Sequence, residues 1–169
     1  LKSNRFIFGS KVKKVIEEKV ASSINIDKVL ERIDFSDTFS TINRDDSLEI
    51  ISNKIFNNSP KWVELLFIIR AFLVKLIGLK SKLPKDYNTD YSVGGYVGYF
   101  KIFVIDENEL ILGLDDDHLK FRVSILNDLS SDYNIKVTTL VKFNNTSGKY
   151  YMKLIAPFHR IVVMSMVKQ

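Results

Sequence analysis

Arg70 is the residue of this sequence whose setting most clearly suggests chemistry or binding. When residues 61–78 are projected as a helix at about 100° per residue, Arg70 falls within an apolar stripe, opposite the other charged residues. A guanidinium among apolar side chains is costly unless it is paired. We therefore expect Arg70 either to pair with a carboxylate such as Asp34 or Asp37, or to anchor the anionic head group of a ligand.

His118 and His159 are the only histidines of the chain. His118 follows three aspartates, a combination that suits a hard or borderline metal ion but is more typical of a β-turn, so we expect no metal and no cofactor. His159 lies beside Phe158 at the border of an apolar helix face, where it either fills a half-buried structural position or contacts a ligand. Two histidines can also perform acid–base chemistry, provided that the fold brings them together.

The hydrophobic periodicity predicts the elements that must position these residues. Short turns between alternating strands indicate an antiparallel meander with one solvated face, on which we expect Arg122. We therefore predict an α+β fold of the helix-grip type, in which a curved antiparallel sheet packs on a long C-terminal helix, with two helices after the first strand. The predicted elements are a short helix at 11–21, a strand at 34–43, helices at 46–57 (capped by Asp45 or Asp46) and 60–79, strands at 99–105, 109–114, 119–126 and 135–143, and a helix at 149–167.

Three runs of the sequence resemble, in the same order, an uncharacterised bacterial domain-of-unknown-function family of the START-like, helix-grip superfamily. The resemblance covers residues 34–168 and implies a cavity between the sheet and the C-terminal helix, but no reaction. It also implies that relatives occur alone or fused behind reductase-like, dinucleotide-binding domains. The runs are Pro60-x-Trp62 with Arg70 and Gly78-Leu79-Lys80, then Asp-Asp-Asp-His-Leu-Lys-Phe-Arg-Val from Asp115 to Val123, and finally Asn144 to Val162 with Gly148, Tyr151 and Pro157-Phe158-His159-Arg160.

The composition is that of an ordinary globular chain without cysteine. The lack of cysteine excludes disulfides and thiolate metal sites, and it fits a reducing compartment, so we expect a cytoplasmic protein. The length of 169 residues favours one compact domain, which we place at 34–169 after a partly helical N-terminal extension at 1–33. The sequence contains no phosphate-binding loop, nucleophile elbow or zinc-protease motif.

The net charge of +5 is unevenly distributed. Residues 133–169 hold six basic and no acidic residues, with Lys149, Lys153 and Arg160 on the outer side of the predicted C-terminal helix. Basic helices of this kind either face the acidic middle of their own fold or contact an anionic membrane or an acidic partner. No aromatic residues alternate with the basic ones as in a known nucleic-acid module, so we expect no nucleic-acid binding.

These observations favour a domain that binds a small apolar or amphipathic ligand in a cavity larger than about 300 Å³. One alternative is an enzyme, or the accessory domain of a reductase-like enzyme, that uses Arg70, His118 and His159. Another is a module whose basic helices contact a membrane or a protein. No residue is assigned as catalytic, and the oligomeric state stays open. The predicted ligand contacts are Trp62, Arg70, His118, Phe158 and His159.

Overall fold

The computed structural model describes residues 14–20, 23, 25–57, 61 and 86–168. The predicted helix at 60–79, with Trp62 and Arg70, falls almost wholly outside these residues. The elements of the described chain are, in order, β1 (Val15–Glu18), α1 (Ile26–Val29), β2 (Phe35–Thr41), α2 (Leu48–Asn57), β3 (Tyr96–Val97), β4 (Phe100–Ile105), β5 (Glu109–Asp115), β6 (Leu119–Asn127), β7 (Ile135–Phe143) and α3 (Thr146–Val167).

The strands form one seven-stranded sheet in the order β1-β2-β7-β6-β5-β4-β3. Every neighbouring pair is antiparallel. From β3 to β7 the strands follow one another as a meander, and β2 joins it by pairing with the last strand. The C-terminal helix α3 contacts β2 and β7. This curved antiparallel sheet with its C-terminal helix confirms the predicted α+β, helix-grip-like architecture.

The N-terminal part of the chain differs from its prediction. Within the segment 11–21, for which the sequence predicts a short helix, Val15–Glu18 form the edge strand β1. The strand pairs with β2, so that Val15 lies opposite Thr41 and Glu18 opposite Thr38. Four residues are too few to show a period, and the unpaired edge of β2 decides their conformation.

The residue that caps the start of α2 also differs from the prediction. The predicted caps were Asp45 and Asp46, but the hydroxyl of Ser47 accepts the hydrogen bond from the backbone N–H of Ile50 at 3.3 Å. Asp46 instead accepts hydrogen bonds from the side chains of Asn43 and Lys54. A serine hydroxyl therefore caps the helix, and the carboxylate before it is used by side-chain partners instead.

The two faces of the sheet follow from the two-residue period of its strands. The side toward α2 and α3, which we call the helix face, holds the main core. The registers of β2, β7 and β6 place Phe39, Val137 and Ile125 side by side on this face, and all three are buried. The opposite side, which we call the α1 face, carries the alternate residues, because each step along a strand reverses the direction of the side chain.

The α1 face is not the solvated surface that the sequence predicts. Thr38, Ser40, Ser124 and Thr138 on this face are all at most 1% exposed. The segment around α1 covers part of it, with Ile26 and Leu30 packed against Leu140 in a second apolar cluster. The alternating pattern alone could not show this burial, because the covering segment lies outside the strands in which the alternation occurs.

Glu109 attaches the segment before α1 to this face. The carboxylate is 3% exposed and accepts hydrogen bonds from the hydroxyls of Ser124 at 2.6 Å and Ser23 at 2.7 Å. Its second oxygen accepts from the side-chain amide of Asn25 at 2.9 Å. A buried carboxylate needs such donors, and here three neutral groups supply them.

Arg122 also lies on the α1 face and is only 4% exposed, so its predicted solvated position is wrong. Its guanidinium lies 3.6 Å from the ring centroid of Phe103 and pairs with Asp115 at 2.6 Å. Gly113, opposite it on β5, makes the room, because a β-carbon there would come within 2.7 Å of the Arg122 side chain. Stacking and pairing together make this burial tolerable.

The N-terminus of α3 is fixed by a close approach to the turn between β5 and β6. Asn145 caps the helix by accepting a hydrogen bond from the N–H of Gly148 at 3.0 Å. A β-carbon on Gly148 would lie 2.1 Å from the carbonyl oxygen of His118. That oxygen already accepts from the N–H of Asn144, so the first turn of α3 has little freedom to move away.

Gly148→Ala should therefore destabilise the fold by about 1–3 kcal/mol, because either α3 or the turn between β5 and β6 must shift to make room for the β-carbon. Ser147→Ala is the matched control: it places the same side chain at the neighbouring exposed position and should change stability by less than about 0.5 kcal/mol. Urea unfolding followed by circular dichroism measures both. Equal midpoints for the two variants would contradict the packing described.

A second prediction concerns acid stability. Hydrogen bonds from Lys136 and then Ser40 lower the pKa of Glu18 from its ordinary value of 4.5. A carboxyl group whose pKa is lower in the folded than in the unfolded state stabilises the fold above its unfolded pKa, and this stabilisation is lost as the pH falls through the folded pKa. Glu18→Gln should thus lower stability at neutral pH and make it fall less steeply below pH 4.5. Unfolding midpoints measured across the acid range test this, with Glu107→Gln, in an exposed turn, as control.

Candidate functional site

An open cleft of about 330 Å³ lies at the end of α3, where α2 and α3 meet the end of β2. Four separate segments of the chain contribute to it. Its lining consists of Lys14, Thr41, Ile42, Asn43, Ile51, Lys54, Ile55, Met166, Val167 and Lys168. The volume is at the lower end of the range of about 300–1,000 Å³ that is usual for small-molecule sites.

The floor of the cleft is apolar and belongs to the main core. Ile51 and Ile55 come from one face of α2, four residues apart, and Met166 and Val167 come from the last turn of α3. All four are 4–6% exposed and pack in the same cluster as the sheet residues. The floor is therefore rigid, because it is held by the packing of two helices on the sheet.

The rim of the cleft is basic. Lys54 forms an ion pair with Asp46 at 2.6 Å. Lys14 and Lys168 are exposed, and neither has an ion pair with any residue in the described ranges. Two lysines without an ion pair among the described residues thus line a cleft with an apolar floor, an arrangement suited to a molecule with an apolar body and an anionic end.

The turn between β2 and α2 is held in place by Asn43 and Asn134. Asn134 is 1% exposed, and its side-chain amide donates to the Asn43 carbonyl at 2.7 Å and accepts from the Asn43 N–H at 3.0 Å. The Asn43 side chain in turn donates to Asp46 at 2.7 Å. This bond, followed by that from Lys54, holds the pKa of Asp46 below its ordinary value, so the carboxylate remains charged beside the rim.

His159 lies elsewhere, between the middle of α3 and the helix face of the sheet. Its Nε2 is 3.4 Å from Asp37 Oδ2 and 3.3 Å from Thr139 Oγ1. The His159 and Asp37 side chains are 17% and 13% exposed, and Phe35 meets the imidazole edge to face. The other carboxylate oxygen of Asp37 is buried without a hydrogen-bond partner among the described residues.

This cluster has the geometry of a structural pair. The polar contacts of the imidazole with described residues converge on Nε2, whereas a catalytic histidine between a carboxylate and a nucleophile uses its two nitrogens separately. His159 is half-buried, and the contact with a ligand that is the other alternative for it stays a prediction. Asp34, the other carboxylate proposed as a partner of Arg70, pairs with Arg32 at 2.8 Å. A contact of Arg70 with Asp34 or Asp37 stays a prediction.

His118 and His159 are not brought together. His118 Nδ1 lies 3.1 Å from the side-chain amide of Asn145, the cap of α3. His159 is 14 residues further along the same helix, about 21 Å away at a rise of 1.5 Å per residue. The enzyme alternative requires both histidines in one cleft, and at this separation the requirement is not met.

The structure places the remaining predicted residues as follows. Phe158 is 57% exposed on the outer side of α3, and none of His118, Phe158 and His159 lines the cleft. Trp62 and Arg70 lie outside the described residues. The sequence did not predict this cleft. Its lining residues come together only when β1 pairs with β2 and α3 packs on the sheet.

Among the described residues, no three His, Asp or Glu side chains converge as a metal site would require. Asp115, one of the three aspartates considered for a metal, pairs with Arg122. In the same part of the chain, no helix has the length and apolar character needed to cross a membrane.

Comparison with known proteins gives one match. Residues 29–166 match the model of a family described as a protein of unknown function, DUF2867. No curated protein and no solved structure matches the chain. The family match covers the sheet from β2 onward together with nearly all of α3.

The His159–Asp37 contact leads to a stability prediction. His159→Ala should cost about 1–3 kcal/mol, because it leaves the Asp37 carboxylate buried without its partner. The double variant with Asp37→Ala should cost less than the sum of the two single variants, by about 0.5–3 kcal/mol. Chemical unfolding of the four proteins gives this coupling energy. Phe158→Ala, at the neighbouring position on the exposed side of α3, is the control, and strictly additive effects would show that the pair does not interact.

Proposed function

We propose that the cleft at the end of α3 binds a small amphipathic anion. The chain belongs to the DUF2867 family of proteins of unknown function. The observation that carries the proposal is the combination of an apolar floor with two rim lysines that have no ion pair among the described residues. The ligand class is a molecule with a short acyl or other apolar chain that ends in a carboxylate, phosphate or sulfonate.

The floor supplies the apolar half of this recognition. Each methylene group of a ligand that leaves water against Ile51, Ile55, Met166 and Val167 contributes about 0.8 kcal/mol. These side chains are already ordered by the core, so binding does not have to immobilise them. Ile42, at the mouth of the cleft, is 47% exposed and offers further apolar surface for a ligand to cover.

The rim supplies the polar half. Lys54 is engaged by Asp46, which leaves Lys14 and Lys168 as the groups that would meet an anionic end. The two lysines come from opposite ends of the described chain, so an anion between them would bridge β1 and α3. An exposed ammonium group interacts with an anion through a solvent-screened attraction, and this contribution should therefore weaken as salt is added.

The helix-grip architecture also supports a ligand-binding role. The resemblance to the START-like superfamily leads us to expect a cavity between the sheet and the C-terminal helix. The cleft lies beside the last turn of that helix instead, and it is open at one side. A shallow, open site favours a ligand that is only partly buried, with its charged end at the surface.

Decanoate and decanol form a matched pair of probes, since they share the apolar chain and differ in charge. We expect both to perturb the NMR signals of Ile51, Ile55 and Val167, and decanoate to bind more tightly. Lys14→Glu with Lys168→Glu should weaken decanoate on the order of tenfold and leave decanol unchanged. Lys19→Glu with Lys28→Glu, two exposed lysines away from the cleft lining, is the charge-matched control.

The proposal fails if neither probe shifts these signals while the chain is folded. It also fails if the cleft and control variants weaken decanoate equally, because the effect would then come from net charge alone.

A further inference from the structure

The outer side of α3 carries a continuous row of exposed apolar side chains. Tyr150, Leu154, Phe158 and Ile161 are 69%, 64%, 57% and 57% exposed. Their spacings of four, four and three residues place them on one side of the helix. Met164, at 36%, extends the row, which we call the α3 stripe, to about 21 Å at 1.5 Å per residue.

The stripe is separate from the face with which α3 packs on the sheet. The buried residues of α3 are Gly148, Met152, Met166 and Val167, and the first three lie on the side of the helix opposite the stripe. A row of four large apolar groups on one helix differs from the isolated exposed residues that every protein surface carries. Such a row is the kind of exposed patch that marks an interaction surface.

The charges around the stripe indicate which occupant. Lys149 and Lys153 are exposed along one border and have no ion pair with residues in the described ranges. Arg160, further along, is already paired with Glu17. Residues 146–167 contain no acidic side chain at all. An apolar row with cations along one border, on a helix without acidic side chains, is the pattern of a helix that lies in the interface of an anionic membrane.

We infer that α3 docks on an anionic lipid bilayer, with its axis in the plane of the membrane and its stripe inserted among the lipids. Leu154 and Phe158, at the centre of the stripe, enter the apolar boundary, and Tyr150 reaches the head-group level, where aromatic side chains are favoured. Lys149 and Lys153 contact the anionic head groups. The surface is distinct from the cleft, so the inference does not depend on the proposed ligand.

Sedimentation with vesicles of phosphatidylcholine, with and without phosphatidylserine, tests the inference on the whole chain. The chain should bind the phosphatidylserine vesicles and lose this binding as salt is raised. Leu154→Ser with Phe158→Ser should abolish binding, and Lys149→Ala with Lys153→Ala should weaken it on the order of tenfold or more. All four residues are exposed, so the variants should keep the circular dichroism spectrum of the parent.

Matched controls separate the stripe from general effects. Leu129→Ser removes an equally exposed leucine, at 69%, from the turn after β6 and should leave binding unchanged. Lys19→Ala with Lys28→Ala tests net charge, and Lys14→Glu tests the cleft. No binding to phosphatidylserine vesicles, or equal losses in stripe and control variants, would overturn the inference. So would a dimer in solution that the stripe variants dissociate in the absence of any vesicle binding, because a second copy would then be the occupant.

Discussion

The pairing of β2 with β7 is the constraint on which the rest of the structure depends. It joins residues about a hundred positions apart, such as Thr38 and Thr138, whose buried hydroxyls lie 2.9 Å from each other. The pairing converts a local meander into a seven-stranded sheet and provides the surface on which α3 lies. It also sets the distance between Asp37 and His159 and brings the end of β2 to the cleft. A shift of register by one residue would reverse every one of these side chains.

Local patterns predicted those elements that local physics determines. β6 and β7 were predicted nearly to the residue, because their alternation of apolar and polar residues is visible along the strand itself. The burial of the polar side chains on these strands could not be predicted in this way. Whether Ser124 or Arg122 meets solvent depends on a segment folded over them, and on the stacking of Arg122 on Phe103 across Gly113. Sequence alternation gives the direction of a side chain, not what covers it.

Sequence patterns predict even less about the candidate site. A histidine on the flank of an apolar helix face signalled a half-buried position for His159, and its partner Asp37 was among the carboxylates considered for another role. The cleft gave no such signal. Lys14 and Lys168 are separated by nearly the whole described chain, and the floor residues look like any other core residues. Such a site exists only after the fold has formed, and neither motif nor spacing can indicate it.

The lengths of the outer strands have a consequence for how copies of this chain can associate. β1 has four residues and β3 only two, so each edge of the sheet offers few free backbone groups. Glu17 and Glu18 lie in β1, with Lys14 and Lys19 directly beside it, and such charges oppose the approach of another strand. The sheet is therefore poorly suited to growth by strand addition, which protects it against cross-β aggregation.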